Sequence, residues 1–244
     1  MTSKQWQLIW QDEFDEPEID PSKWHIDQGY TGASNKELQI YTSHKENIRL
    51  IDSCLVLTAL QKNYLGHNFT SARVSTKGLH SWRYGRFEAY IKIPTGQGIW
   101  PAFWMLGENI NTLNWPRCGE IDIMENIGSI PGTVRGTLHG PGYARDDSIG
   151  ADFSLPGYNF SKSFHLYAIE WEPREIRWFV DESHYNSLTD KDIPGNWVFD
   201  HPFYILINLA VGGLWPGYPD DTTQFPQVML IDYVRVYKLD VNEE

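Results

Sequence analysis

The chain has 244 residues, 41% hydrophobic and 21% charged, with 11 Trp and a net charge of −12. These totals exclude a disordered chain. They also argue against nucleic acid, anionic membrane surfaces and polyanionic polymers as partners, since each of these selects basic patches. A neutral ligand fits, and Trp in this excess suits stacking on flat ligand faces.

The N-terminal stretch MTSKQWQLIWQDEF has neither the basic n-region nor the apolar h-region of a signal peptide. No apolar run approaches the ~20 residues of a membrane span. The expectation is a chain that is cytoplasmic as encoded, or secreted if a signal has been removed. The two cysteines, Cys54 and Cys118, have no metal-site spacing and make no disulfide framework, so free thiols are expected.

Strand signals follow one another along the chain: WQLIW, LVLTAL, GRFEAYIKI, TVRGTLHG, HLYAIEW, IRWFV, FYILINLAV and VMLIDYVRVYKL. Gly, Pro, Asn and Asp clusters separate them. In GRFEAYIKI the alternation puts Phe87, Ala89, Ile91 and Ile93 on one face, with Glu88, Tyr90 and Lys92 on the other. In DYVRVYKL, Tyr233, Arg235 and Tyr237 alternate with Val234 and Val236. No run keeps a helical period; residues 182–194 hold a short helical turn at most. Many strands without interleaved helices imply an all-β sandwich of two packed antiparallel sheets. With no linker, repeat or low-complexity segment, residues 1–244 read as one domain.

One strand is unusual. CGEIDIMEN places Glu120, Asp122 and Glu125 within six residues. On a regular strand Glu120, Asp122 and Met124 share a face, and Glu125 points to the other side with Ile121 and Ile123. A lone carboxylate there would be buried at high cost. One extra residue near Ile123 or Met124, a β-bulge, returns Glu125 to the face of the other two acids. Glu120 and Glu125 are then about four strand steps apart, roughly 13 Å between Cα atoms at ~3.3 Å per residue. Side chains leaning together close that gap to the ~5–5.5 Å used by retaining glycosidases. Three crowded carboxylates cannot all ionise cheaply at neutral pH, so one stays protonated, as a general acid requires. Two other readings are open on this pattern: a solvated acidic strand, and an oxygen cluster for calcium.

The flanking residues extend the pattern. WPRCGEIDIMENIG resembles the catalytic strand of glycoside hydrolase family 16, in its laminarinase-like branch. NKELQIYT, FTSARVSTKG, YGRFEAYIKIPTGQGIWPAFWMLG, FYILINLAVGG and FPQVMLIDYVRVY resemble further blocks of that family, in its order, from about Gln11 to Tyr237. The resemblance implies a concanavalin-like β-jelly roll with an open cleft and retaining, endo-acting hydrolysis of β-1,3-glucan. Mixed β-1,3/1,4-glucan remains open as a second substrate. It further implies Glu120 as nucleophile, Asp122 as assisting acid and Glu125 as acid/base. Lichenase-type relatives carry E-x-D-x-E, a regular strand; the E-x-D-x-x-E here matches the bulged branch.

The same resemblance implies substrate contacts at Asn35, Arg73, Trp100, Trp104, Trp115 and His139. Trp100 and Trp104, four apart in GIWPAFWML, should share a face opposite Phe103. Glu37 belongs to the Asn35 block, where Lys36 stands in place of a second Asn frequent in relatives. Leu214 replaces a polar residue usual in relatives. No cofactor is implied for catalysis. A structural calcium is implied at Asp232, completed by backbone carbonyls near Glu13 and Ser53. The partner is a polysaccharide, and an open cleft needs no second subunit, so a monomer is expected. The rival readings are a non-catalytic β-glucan-binding module, a same-fold hydrolase of lichenan or agarose, and a transglycosylase.

Overall fold

The computed structural model describes residues 5–155 and 157–240. Its strands, numbered β1 to β17 in chain order, form two sheets. The seven-stranded sheet runs from edge to edge as β12 (Ile149–Ser154), β11 (Thr133–His139), β10 (Glu120–Glu125), β9 (Ile99–Gly107), β16 (Phe203–Val211), β7 (Arg73–Ser75) and β2 (His25–Ile26). The ten-stranded sheet runs as β15 (Ser183–Thr189), β14 (Glu175–Val180), β13 (His165–Glu172), β8 (Gly85–Lys92), β17 (Gln227–Leu239), β5 (Cys54–Tyr64), β6 (His67–Ser71) and β3 (Gln39–Tyr41). Off that path, β1 (Trp6–Asp12) pairs with β17, and β4 (Ile48–Ile51) with β5. Among these pairs only β3–β6 is parallel. Residues 182–194 carry β15 and a turn rather than a helical turn; there His184 and Ser187 face β14, and pairing between strands outweighs local preference.

The core lies between the sheets, and the period-2 alternation decides who enters it. On β8, Phe87, Ala89 and Ile91 are fully buried, as are Val234 and Val236 on β17. β16 is buried along its whole length. Phe203, Ile205, Ile207, Leu209 and Val211 face the core, while Tyr204, Leu206, Asn208 and Ala210 form the floor of the opposite face. A strand covered on both sides reads as a continuous apolar run, which is why FYILINLAV shows little alternation. Cys54 and Cys118 are free thiols, half-buried and buried respectively.

Both rims of the seven-stranded sheet's outer face are loops. On one side, a 3-10 turn at Gly32–Asn35 packs against the strand-end segment after β16, where Leu214 N–H donates to the Asn35 carbonyl at 2.9 Å. On the other, residues 140–148 connect β11 to β12 and include a 3-10 turn at Arg145–Asp147. Among the described residues, no helix is long and apolar enough to cross a membrane.

Candidate active site

The bulge expected from the two-then-three spacing is present. Asp122 pairs with Trp104 of β9, and Met124 with the next residue back, Phe103, so β10 carries one residue more than its neighbour. On the other side Asp122 pairs with Thr137 and Glu125 with Arg135, which again leaves one extra residue on β10. The extra residue is Ile123. Ile121, Ile123 and Met124 are all buried in the core. Met124, which a regular strand would have placed beside the acids, is turned inward, and Glu125 takes its place outward. Glu120, Asp122 and Glu125 therefore share the outer face of the sheet. Gly119 precedes them at φ +74°, where a Cβ would come within 2.8 Å of the Phe203 ring.

Each glutamate accepts one indole N–H. Trp115 Nε1 donates to Glu120 Oε2 at 2.9 Å, and Trp100 Nε1 donates to Glu125 Oε1 at 3.0 Å. Asp122, buried between them, accepts from the Thr137 hydroxyl and lies 3.0 Å from His139 Nε2. His139 Nε2 is also 3.6 Å from Glu120 Oε1. The alternation on β11 explains the pair: Thr137 and His139 are two apart and share a face, opposite Asp122 and Glu120.

Burial raises the Glu120 carboxyl to about 8, and the Asp122 charge adds to it, while His139 and the Trp115 donor pull the other way. Glu125 is held well above the usual carboxylate range by burial first and the Asp122 charge second. Burial lowers the His139 imidazole, but the hydrogen bond and charge of Asp122, with the charges of both glutamates, outweigh it and raise the group to about 9. The Arg145 backbone N–H, 3.1 Å from His139 Nδ1, opposes that charging, because a proton on Nδ1 would face another donor. In the neutral ring Nδ1 thus accepts, and Nε2 carries the hydrogen toward Asp122.

Glu120, Asp122 and His139 also bring one ligand atom each within 4.8 Å of one another, a spacing a metal ion could use. The Arg145 N–H argues against it. It leaves the proton on Nε2, the nitrogen that would have to bind the metal. The cluster is a proton-sharing network of acids and imidazole.

The remaining sequence-predicted residues surround the acids. Trp100 and Trp104 share the outer face of β9, with Phe103 in the core, as expected. Trp104 Nε1 is engaged by Asn208 Oδ1 at 2.7 Å, leaving its ring along the floor. Arg73, on β7, is held by Asp27 at 2.6 Å and lies over the Tyr41 ring at 5.2 Å. Asn35 donates to Glu37 Oε1 at 3.0 Å, and Gln39 donates to Glu37 Oε2 at 2.6 Å, so Glu37 organises the rim. Leu214 and Trp215 are exposed, and the Trp215 ring meets Trp100 edge-on at 5.4 Å between centroids.

Several side chains of this site were not singled out from sequence. Thr137 and Asn208 had a legible signal: one lies two residues before His139, and the other is the polar residue in FYILINLAV. Asp27 and Arg145 had none. Arg145 stacks over Trp115 at 5.3 Å and donates to the Ser34 carbonyl at 3.3 Å, joining the two rims near the acids.

The calcium expectation falls on the ten-stranded sheet. Asp232 sits at a register break of β17, half-buried. Its carboxylate approaches the Cys54 thiol at 3.9 Å, and among the described residues no cation pairs with it. The Glu13 carboxylate is taken by Arg235, at 2.7 and 2.8 Å, so only its backbone carbonyl is free for a metal. Ser53 follows Asp52 in a tight turn with both residues at positive φ. An uncompensated carboxylate beside such a turn fits an oxygen-ligated cation.

The sequence profile described as "Glycosyl hydrolases family 16" matches residues 30–235. This chain belongs to glycosyl hydrolase family 16. Within that family it is 44% identical to a "Beta-glucanase" from Rhodothermus marinus, over 96% of this chain and 85% of that protein. It is 38% identical to "Glucan endo-1,3-beta-glucosidase A1" from Niallia circulans, over 95% of this chain but only 38% of that longer protein. The family 16 fold is matched by the catalytic domain of an endo-1,3-beta-glucanase (laminarinase) from Thermotoga petrophila. That match has a TM-score of 0.93 and 46% identity, over 98% of this chain and 100% of that one.

Proposed function

We propose that this family 16 chain is an endo-acting, retaining hydrolase of β-1,3-glucan. The carrying observation is the bulge that places Glu120 and Glu125 on one face, with Asp122 between them, each acid in a different environment. The names of the relatives support the substrate class: a beta-glucanase, an endo-1,3-beta-glucosidase and a laminarinase.

Burial and the Asp122 charge raise both glutamates, so the pair can hold a proton near neutral pH, as an acid/base requires. The resemblance to family 16 gives Glu120 the nucleophile's role and Glu125 the acid/base's. In the first step the Glu120 carboxylate attacks the anomeric carbon, and Glu125 passes its proton to the departing glycosidic oxygen. The products are a glycosyl ester on Glu120 and a shortened chain with a new hydroxyl. The Glu125 carboxylate then takes a proton from water, whose oxygen displaces Glu120 and restores both groups. Asp122, hydrogen-bonded by Thr137 and His139, fixes the field between the two glutamates. Trp115 and Trp100 hold the glutamates by their N–H groups, and their rings line the channel for sugar faces.

Substrate contacts at Asn35, Arg73, Trp104 and His139 belong to the same proposal, as does a structural calcium at Asp232. The test is hydrolysis of laminarin by Glu120→Gln, which should fall by a factor of at least ~1,000. Near-wild-type rates would remove Glu120 from the mechanism. NMR of the first product should show the β-anomer; the α-anomer would exclude retention. A wild-type chain that binds laminarin without releasing reducing ends would instead be a binding module. Some relatives carry the name endo-1,3-1,4-beta-glycanase, so a linkage panel belongs with the first assay.

A further inference from the structure

The bulge that aims Glu125 is held from the opposite sheet. Trp178, on β14 of the ten-stranded sheet, reaches across the core and donates its indole N–H to the backbone carbonyl of Asp122 at 2.8 Å. Trp178 is fully buried. The pairing of β10 breaks directly after Asp122 on both sides, so this carbonyl stands at the first residue of the irregularity. A bulge disturbs the ladder, and a buried carbonyl there needs a donor from elsewhere.

The room for Trp178 comes from β11. Gly136 lies between Thr137 and Arg135, which pair with Asp122 and Glu125, so it faces the bulged residues. A Cβ on Gly136 would stand 2.4 Å from Trp178 Cδ1 and 2.6 Å from Nε1. It would also meet the Tyr185 hydroxyl at 2.6 Å. Glycine on β11, an extra residue on β10 and an indole donor on β14 thus form one device.

We propose that Trp178 is a positioning residue for catalysis. Its N–H fixes the bulge at Asp122 and thereby the direction in which Glu125 presents its proton. The proposal rests on the acid/base role of Glu125. It touches neither substrate nor reacting atoms, and its effect is geometric: small misplacement of a catalytic group costs rate steeply.

The test uses two substrates in the full chain. Laminarin has a poor leaving group that needs the proton of Glu125. The 2,4-dinitrophenyl glycoside of laminaribiose has one that departs without it. The expected result for Trp178→Phe is a kcat/KM on laminarin lower by about 10–100-fold, with kcat/KM on the aryl glycoside nearly unchanged. Azide, which intercepts the glycosyl ester without a base, should raise kcat of the variant on the aryl glycoside and not that of the wild type. If Trp178→Phe does not fold, 3-benzothienylalanine at position 178 keeps the ring and removes only the N–H. An equal loss on both substrates, or no loss on either, overturns the proposal. Glu125→Ala run in parallel separates the two levels. If it too loses equally on both substrates, the acid/base reading of Glu125 fails before Trp178 is judged.

Discussion

Glu120→Gln should make the protein more stable, and only above acidic pH. The Glu120 carboxyl ionises near 4.5 in an unfolded chain and near 8 in the folded one, because burial and the Asp122 charge disfavour its anion. Between those values the folded state holds a proton that the unfolded state has lost. Stability therefore falls as pH rises through this window, with a slope of at most roughly 1.4 kcal/mol per pH unit for one group. Below pH 4.5 both states are protonated and the group is neutral in this sense. Across the window the upper bound is roughly 5 kcal/mol. Gln keeps the shape and still accepts from Trp115 Nε1, so the substitution removes the charge and little else. Half of the bound corresponds to about 5–10 °C in Tm for a chain of this size. The assay is thermal unfolding of both proteins at pH 4, 6 and 8. The curves should coincide at pH 4 and diverge steadily to pH 8. Parallel Tm–pH curves would refute the view that the site holds its acids against their own ionisation.

Three further outcomes follow from the contacts of the site. Trp115→Phe removes the donor that lowers Glu120, so the acid limb of the kcat/KM profile should move up by about half to one pH unit; Trp100→Phe should do the same to the alkaline limb through Glu125. Steady-state rates from pH 4 to 10 would check both. Arg73→Met should raise KM for laminarin by about tenfold while kcat changes little, because Arg73 stands on β7, away from the acids of β10. If calcium binds at Asp232, chelation should lower Tm by about 5–10 °C in the wild type, the value expected near 100 times Kd, and leave Asp232→Ala unmoved.

Much of the site could be read from one strand because the rule involved is local. Side chains on a strand alternate with a strict period of two, so the spacing of Glu120, Asp122 and Glu125 forces either a buried lone carboxylate or a bulge. The structure takes the bulge, with Ile123 as the inserted residue. The same rule put Trp100 and Trp104 on one face of β9 and kept Phe103 in the core. It failed for residues 182–194, where polar, weakly patterned residues of β15 are held as an edge strand by pairing with β14.

The sequence by itself determined the fold class, the crowding of three carboxylates on one strand, and the need for that strand to be irregular. These depend on the order of apolar and polar residues along single strands, which is written in the chain. The tertiary structure decided which distant side chains serve those acids. Thr137 and His139 reach Asp122 from β11, Asp27 holds Arg73 from the segment just after β2, and Trp178 grips the bulge from the other sheet. It also raised the proton affinity of both glutamates, since burial and neighbouring charge act through space. No spacing in the sequence connects residue 178 to residue 122. Only the packing of the two sheets, about one core's thickness apart at ~10 Å, brings an indole N–H to the carbonyl at the start of the bulge.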